Sequence, residues 1–80
     1  MHEIKSPMVG TFYRAENPEA EPYVKVGSHI TPETVICKIE AMKLFNDITA
    51  DCTGVITEIL VENAQPVEFN TVLFRVDTAG

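Results

Sequence analysis

The clearest strand signal in this chain is the stretch Val35-Ile36-Cys37-Lys38-Ile39-Glu40. Its hydrophobic period is two, because Val35, Cys37 and Ile39 fall on one face. Lys38 and Glu40 fall on the opposite face. This alternation is typical of a strand with one buried and one exposed face. It predicts a half-buried β-strand over these residues.

The same alternation returns near the end of the chain, in the segment VLFRV that starts at Val72. Phe74 and Val76 share the face of Val72, whereas Arg75 points away with Leu73. This second segment is therefore also expected to be a half-buried strand.

Shorter β-like pieces lie between and before these two strands. They are separated by Gly, Pro, Asn and Asp, which are turn-forming residues. The pieces cover residues 3–5, 11–14, 45–50 and 55–60. No stretch of ten residues has a helical stripe with caps, and the chain is therefore predicted to be all-β.

An internal repeat relates the two halves of the chain. With an offset of 37, residues 30–39 align with residues 67–76, so that each half contains an apolar residue, a turn and a strand. With an offset of 44, residues 10–12 align with residues 54–56. The first half thus holds seven extra residues, which we assign to residues 15–21 (AENPEAE) and predict to be a protruding, solvated loop. A pseudo-twofold axis between the halves would place the turn around Lys43 opposite the chain ends.

Length and charge limit what this protein can do. The 80 residues can enclose one hydrophobic core, so we expect a single domain over residues 1–80. Six Lys and Arg against twelve Asp and Glu give a net charge of −6, the wrong sign for binding nucleic acid or anionic lipid. The apolar runs are far shorter than the roughly 20 residues of a membrane-spanning helix. We expect no nucleic-acid partner and no membrane segment.

The cysteines and the first residues indicate the compartment. Cys37 and Cys52 lie fifteen positions apart without a CxxC or a His pair, which fits neither a zinc site nor a disulfide framework. We expect two free thiols in a reducing cytosol; a single disulfide in a secreted module is the alternative. Residues 1–7 contain no charged leader followed by an apolar stretch, so no secretory signal is expected.

The turn in residues 40–47 (EAMKLFND) is unusual. It joins two predicted strands, yet its centre contains neither Gly nor Pro, and turn chemistry alone would not predict a hairpin here. A tight reversal built from Met, Lys and Leu must carry backbone strain or be held by its strands. Such strain occurs preferentially at functional positions, although a lone exposed lysine is usually a solvated surface charge.

Three segments of the chain resemble a known family, the biotinyl domains of biotin carboxyl carrier proteins of acetyl-CoA carboxylase. The segments are residues 6–13 (SPMVGTFY), 40–43 (EAMK) and 62–69 (ENAQPVEF). The resemblance implies the biotinyl/lipoyl-domain fold, a flattened barrel of two four-stranded antiparallel sheets with pseudo-twofold symmetry. It also implies that biotin is attached covalently to Lys43 on an exposed hairpin, residues 40–47.

The resemblance assigns roles to two groups of residues. The attachment site comprises Lys43 and its neighbours Glu40, Ala41, Met42 and Leu44. The insertion at residues 15–21 corresponds to the family's "thumb", with Glu16, Asn17, Pro18 and Glu19 as its candidate contacts.

The resemblance also implies a function and partners. A carrier of this family takes CO2 on Lys-linked biotin from a biotin carboxylase to a carboxyltransferase, in the first committed step of fatty acid synthesis. A biotin protein ligase attaches the biotin. The domain would be a non-catalytic subunit of the cytoplasm, or of the plastid stroma in a plant. We assign no catalytic residue and no metal ligand, because His2 and His29 stand alone.

Two alternatives remain open, a lipoyl-type carrier domain and an unmodified β binding module. Lipoyl domains typically have Asp before their lysine, where this chain has Met42. Leu44 replaces a methionine common in the family, a change that conserves volume.

Three other side chains carry specific expectations. Ala64 occupies a turn position where the family commonly has glycine, and Gly27 is its equivalent in the other half. A positive φ at Ala64 would cost about 1 kcal/mol, unless Asn63 takes the left-handed position. Met8 is expected to pack on the core. Phe45 is expected to face outward beside the lysine, where it could contact a partner.

Overall fold

A computed structural model describes residues 1–78 as eight antiparallel strands without a helix. The strands are β1 (His2–Lys5), β2 (Gly10–Tyr13), β3 (His29–Ile30), β4 (Val35–Ala41), β5 (Leu44–Thr49), β6 (Gly54–Ile59), β7 (Gln65–Val67) and β8 (Val72–Asp77). They form two four-stranded sheets, ordered β1-β8-β6-β3 and β5-β4-β2-β7. The predicted fold class is confirmed. Within the described residues, no helix is long and apolar enough to cross a membrane.

Two strands were not predicted as separate elements, because they are too short to show alternation. β3 has two residues and β7 has three, and both are recognised only through their partners in the sheets. Each lies at the edge of its sheet. An edge position also explains Pro66 in β7, since proline has no N–H to donate and an edge strand has a neighbour on one side only.

The strict alternation of buried and exposed side chains expected in β4 and β8 is wrong at one residue of each strand, Ile36 in β4 and Leu73 in β8. Ile36 and Cys37 are both buried, and so are Leu73 and Phe74, although Leu73 was expected to point away from the core with Arg75. The β4–β5 register shifts beside Ile36, and the β1–β8 register shifts beside Leu73, because Ile4 pairs with Phe74 and Lys5 pairs with Val72. Such irregularities change the direction of one side chain relative to the next. The prediction that Phe74 and Val76 face the same side is confirmed, because both are buried in the core.

The inward side chains of both sheets form one hydrophobic core, and Met8 packs against its edge as expected. Cys37 lies fully inside this core, and its burial raises the pKa of its thiol to about 12. Cys52 is half-buried, and the two cysteines are not bonded to each other. The prediction of two free thiols is confirmed.

Glycine contacts confirm the internal repeat. Gly10 and Gly54 begin β2 and β6, the strands that the offset of 44 makes equivalent. A Cβ on Gly54 would meet the carbonyl oxygen of Asp77 and would lie 2.8 Å from Cγ1 of Val76. A Cβ on Gly10 would meet the equivalent pair of atoms in β4. The two halves therefore bring their strands together in the same way.

Backbone hydrogen bonds repeat with the same offsets. The N–H of Gly27 donates to the carbonyl of Ile56 at 2.7 Å, and the N–H of Ala64 donates to the carbonyl of Phe12 at 2.7 Å. Gly27 and Ala64 both have positive φ, 96° and 67°. Of the two residues considered for the left-handed position, Ala64 and Asn63, it is Ala64 that takes it.

The first strand lies away from the lysine hairpin. β1 and the last residues of β5 together line a cleft of about 210 Å³. Because β5 runs away from the turn that precedes it, β1 lies beside the end of β5 that is farthest from Lys43. This placement agrees, for the N-terminal strand, with the expectation that the turn and the chain ends lie at different ends of the molecule; residues 79–80 lie outside the described part of the chain.

Candidate functional site

Lys43 is the second residue of a two-residue turn between β4 and β5. Ala41 pairs with Leu44 in the ladder, which leaves Met42 and Lys43 as the turn itself. Both have positive φ, 52° and 67°, the geometry of a type I′ hairpin turn, which usually requires Asn or Gly. The turn thus carries the backbone strain that its sequence predicted. It presents Met42 with 94% of its surface exposed and Lys43 exposed beside it.

The side chain of Asn46 stabilises this turn through two hydrogen bonds to the backbone. Its Nδ2 donates to the carbonyl of Ile39 at 3.2 Å and to the carbonyl of Leu44 at 3.3 Å. One acceptor is in β4 and the other is in β5, so a single amide joins the two strands of the hairpin. No role for Asn46 was predicted from the sequence. The only available signal was an asparagine three residues after the lysine, and it does not specify which carbonyls the amide reaches.

On the outer face of this sheet, an aromatic pair lies next to the hairpin. Phe45 faces outward as expected and is exposed, and its ring centroid lies 5.9 Å from that of Tyr13. The hydroxyl of Tyr13 donates to Oε1 of Glu40 at 3.3 Å. Burial raises the pKa of Tyr13, and the charge of Glu40 and this hydrogen bond raise it further. Glu40 is therefore directed along the sheet toward Tyr13.

The insertion at residues 15–21 forms a closed loop beside this face. Ala15 and Pro22 form an isolated bridge, and the N–H of Tyr23 donates to the carbonyl of Arg14 at 2.8 Å. Inside the loop, Asn17 accepts hydrogen bonds from the two backbone amides that follow Pro18. These contacts give the loop a defined shape although most of its side chains are exposed.

A groove of about 530 Å³ separates this loop from the sheet. Three of the four candidate thumb residues line it, namely Glu16, Asn17 and Pro18. Glu19 is not among the residues that line it. The opposite wall includes Tyr13, Arg14, Lys38, Phe45, Asn63 and Ala64. Apart from Phe45, this wall was not predicted from the sequence, because only the strand register brings β2, β4 and β5 side by side.

Two cations in the groove are held by the protein itself. Lys38 Nζ lies 3.2 Å from Oδ1 of Asp47, and this hydrogen bond raises the pKa of Lys38 above its ordinary value despite partial burial. The guanidinium of Arg14 donates to the carbonyl of Val24 at 3.3 Å, and its backbone N–H donates to Oδ1 of Asn63 at 2.8 Å. The groove is thus an apolar and aromatic cleft with fixed positive groups.

No group of three or more His, Cys, Asp or Glu side chains within residues 1–78 is placed to hold a metal ion. His2 and His29 lie in β1 and β3 of the other sheet, both exposed. Near the hairpin, the structure places the exposed Lys43, exposed apolar residues on either side of it and the groove.

Comparison with known proteins agrees with this geometry. The family described as "Biotin-requiring enzyme", the biotin–lipoyl family, matches residues 2–76. The chain is 53% identical over 74 residues to the biotin carboxyl carrier protein of acetyl-CoA carboxylase from Nostoc sp., and 49% identical over 73 residues to that from Pseudomonas aeruginosa. It is also 49% identical over 73 residues to the chloroplastic biotin carboxyl carrier protein 2 from Arabidopsis thaliana.

These alignments cover 91–92% of this chain but only 41%, 47% and 29% of the three relatives. The chain therefore spans less than half the length of the curated relatives it matches. The family match, by contrast, extends over nearly all of the described residues, including both halves of the repeat and the lysine hairpin. On that match, this chain belongs to the biotin–lipoyl family of biotin-requiring enzymes.

Proposed function

We propose that this chain is the biotinyl domain of a biotin carboxyl carrier protein of acetyl-CoA carboxylase, and that Lys43 carries the biotin. One observation supports this most directly. Lys43 is exposed at the apex of a two-residue turn whose φ angles are both positive. A strained, rigid turn gives the amine a defined position that a lysine in a flexible loop would not have.

The other lysines are poorer acceptors. Lys38 is only 19% exposed in its side chain and is tied to Asp47. Lys25 forms an ion pair with Glu21 at 3.4 Å, and Lys5 is the last residue of β1. The tip of the β4–β5 hairpin is thus the position at which an enzyme can approach a lysine amine from the widest range of directions.

The attachment reaction is an acyl transfer. The neutral Nζ of Lys43 attacks the carboxyl carbon of biotinyl adenylate, the amide C–N bond forms, and the bond from that carbon to the phosphate oxygen breaks. AMP leaves, and the amine proton passes to a base of the ligase. Lys43 contributes the nucleophile, and the strands on either side of the turn fix the direction from which the amine is presented.

The groove beside the hairpin fits the head of a biotin arm. Its volume of about 530 Å³ lies within the range of small-molecule sites. The rings of Tyr13 and Phe45 offer an apolar wall, and Asn17 and Glu16 of the thumb offer polar groups. When bound, biotin supplies a ureido nitrogen that carries the carboxyl group; the residues of the groove would orient that ring and limit its contact with water.

As a carrier, the domain would present its arm in turn to a biotin carboxylase and to a carboxyltransferase, in the first committed step of fatty acid synthesis. A biotin protein ligase would be its modifying enzyme. The names of the relatives described above support this role. A tethered arm keeps its reactive ring at high effective concentration at both sites while the domain stays folded. The domain itself would perform no catalysis.

The test is enzymatic biotinylation of the purified domain with ATP, biotin and a biotin protein ligase, followed by intact-mass measurement. The native chain should gain one biotinyl group, and Lys43→Arg should gain none while keeping its fold and charge. Lys25→Arg is the matched control and should be labelled like the native chain. Labelling of the Lys43→Arg variant would disprove the assignment. Modification of Lys43 by a lipoate ligase, without labelling by the biotin enzyme, would favour the lipoyl alternative.

A further inference from the structure

Arg14 lines the groove between the thumb and the sheet without an acidic partner. Two cations line this groove, Lys38 and Arg14. Lys38 forms an ion pair with Asp47 at 3.2 Å, whereas no acidic side chain of residues 1–78 forms an ion pair with the guanidinium of Arg14. The Nη2 of Arg14 donates to the carbonyl of Val24 at 3.3 Å. This bond holds the side chain in place and leaves its other N–H groups to bind a ligand.

The acid in the wall of the groove, Glu16, interacts with Lys38. The hydrogen bond to Asp47 is the main cause of the raised pKa of Lys38, and the charge of Glu16 raises that pKa further. Lys38 thus faces two acids, and its charge is largely compensated. The positive charge that remains for a ligand in the groove is that of Arg14.

The walls around Arg14 fit a flat ring that carries a carboxylate. The rings of Tyr13 and Phe45, with centroids 5.9 Å apart, form an apolar side, and a guanidinium binds a carboxylate through two parallel hydrogen bonds. The head of an unloaded biotin arm has no carboxylate, because the only carboxyl group of biotin is consumed in the amide to Lys43. The head acquires a carboxylate when the arm is loaded. Arg14 is therefore suited to distinguish the two states.

The arm on Lys43 is long enough to reach Arg14. Tyr13 pairs with Lys38, so Arg14 is level with Cys37, which lies four residues (37 to 41) before the end of β4. Four strand residues span about 13 Å. The arm contains about eleven single bonds between Cα of Lys43 and the biotin ring, and at about 1.2 Å per bond it spans a similar distance. An arm that folds back along the sheet brings its ring to Arg14.

We propose that Arg14 binds the carboxylate of the loaded arm, so that the loaded arm docks in the groove and the unloaded arm does not. This inference rests on the proposed function, in that Lys43 must carry the biotin. It assigns Arg14 to the state of the arm and not to the attachment of biotin.

Docking on Arg14 would protect the carboxyl group from spontaneous loss. In that loss the bond between the ring nitrogen and the carboxyl carbon breaks and CO2 leaves. The electron pair stays on the nitrogen, which takes a proton from water. A guanidinium bound to the carboxylate oxygens stabilises negative charge on them and so opposes this shift of electrons to the nitrogen. The loaded arm therefore keeps its carboxyl group for longer between the two partner enzymes.

The lifetime of the carboxyl group on the biotinylated chain tests this proposal. The chain is loaded by biotin carboxylase with ATP and labelled bicarbonate, the enzyme is removed, and release of the label is followed. Arg14→Gln should shorten the half-life by about fivefold, the effect expected when a charge-assisted hydrogen bond is lost. Arg14→Lys keeps the charge and should give an intermediate half-life. Arg75→Gln is the matched control, because Arg75 lies in β8 of the other sheet, and it should have the native half-life.

The side-chain resonance of Arg14 gives a second readout by NMR. Its Nε–H signal should shift when the biotinylated chain is loaded and should return as the label is released. A shift that is already complete on biotinylation alone would contradict the proposal, because Arg14 would then bind the ureido oxygen of the unloaded ring. Added salt should shorten the native half-life toward that of Arg14→Gln and leave that of the variant unchanged. A purely structural role of Arg14 in the thumb would not produce this difference.

Equal half-lives in the native chain and in Arg14→Gln would overturn the proposal. A shorter half-life in Arg14→Gln that comes with altered thumb amide signals, and without salt dependence in the native chain, would also overturn it and would give Arg14 a structural role. Failure of the ligase to biotinylate the native chain at Lys43 is a different result, and it would disprove the proposed function instead.

Discussion

At the scale of single residues, the site depends on how a strained turn is kept in one conformation. Neither Met42 nor Lys43 is a residue that favours positive φ, and each left-handed residue costs about 1–2 kcal/mol. The hairpin ladder and the two hydrogen bonds from Asn46 offset this cost. Asn46 thus acts on Lys43 through the backbone, as a positioning residue.

Asn46→Ala should loosen the turn selectively. Loss of two side-chain hydrogen bonds should lower the free energy of unfolding by about 1–2 kcal/mol, and amide hydrogen exchange should accelerate most at Lys43 and Leu44. Asn17→Ala is the control, because it removes a side-chain hydrogen bond in the thumb. If exchange in Asn46→Ala accelerated equally over the whole barrel, the amide would have only a general structural role.

At the scale of elements, the two halves repeat a turn with different residues. Gly27 and Ala64 occupy equivalent positions, both with positive φ and both with an N–H bonded across to the neighbouring strand. A Cβ on Gly27 would have no atom within 4 Å. Differences between the two turns therefore reflect backbone strain and not packing.

Exchanging glycine and alanine at these turns should change stability in opposite directions. Ala64→Gly should raise the free energy of unfolding by up to about 1 kcal/mol, and Gly27→Ala should lower it by about the same amount. Urea denaturation at one temperature measures both, and Gly54→Ala serves as a reference for a true clash. A destabilised Ala64→Gly would show that Ala64 is held by contacts of its methyl group.

At the scale of the whole molecule, the thumb is added to a barrel that is complete without it. Its residues have no counterpart in the second half, and its ends already meet through the bond between Tyr23 and Arg14. The core is formed by the two sheets, by Ala50 and Val61 in the connecting segments, and by Val24, which follows the loop. The thumb supplies one wall of the groove and no strand of either sheet.

Deletion of residues 15–21 should therefore preserve the fold, with a change in stability within about 1 kcal/mol, as for most surface changes. Biotinylation of Lys43 should continue, whereas carboxyl transfer by a carrier with this deletion should fall. A second variant with seven Gly and Ser residues in place of the thumb keeps the chain length and separates loop closure from side-chain contacts. Unfolding of both variants would mean that the core extends into the loop.

The sequence alone determined the architecture. Alternation of period two, the internal repeat and the turn residues predicted an all-β domain of two related halves, because these patterns record which side chains face a core. The barrel of two four-stranded sheets was implied by the family resemblance. The same reasoning located an unusual turn at Lys43, because the sequence shows that the chain reverses there between two strands without a Gly or a Pro. The strain there was predictable from composition.

Only the tertiary structure decided which distant residues share the site. The pairing of β2 with β4 and β7 places Val9 and Phe69 beside the lysine turn, and it places Tyr13 beside Phe45. The register shifts that bury both Ile36 and Cys37 are likewise absent from the alternation. The hydrophobic period and the turn-forming residues are local properties of the sequence. The pairing register of the strands, and therefore which distant residues become neighbours, is set only when strands far apart in the chain pair around one core.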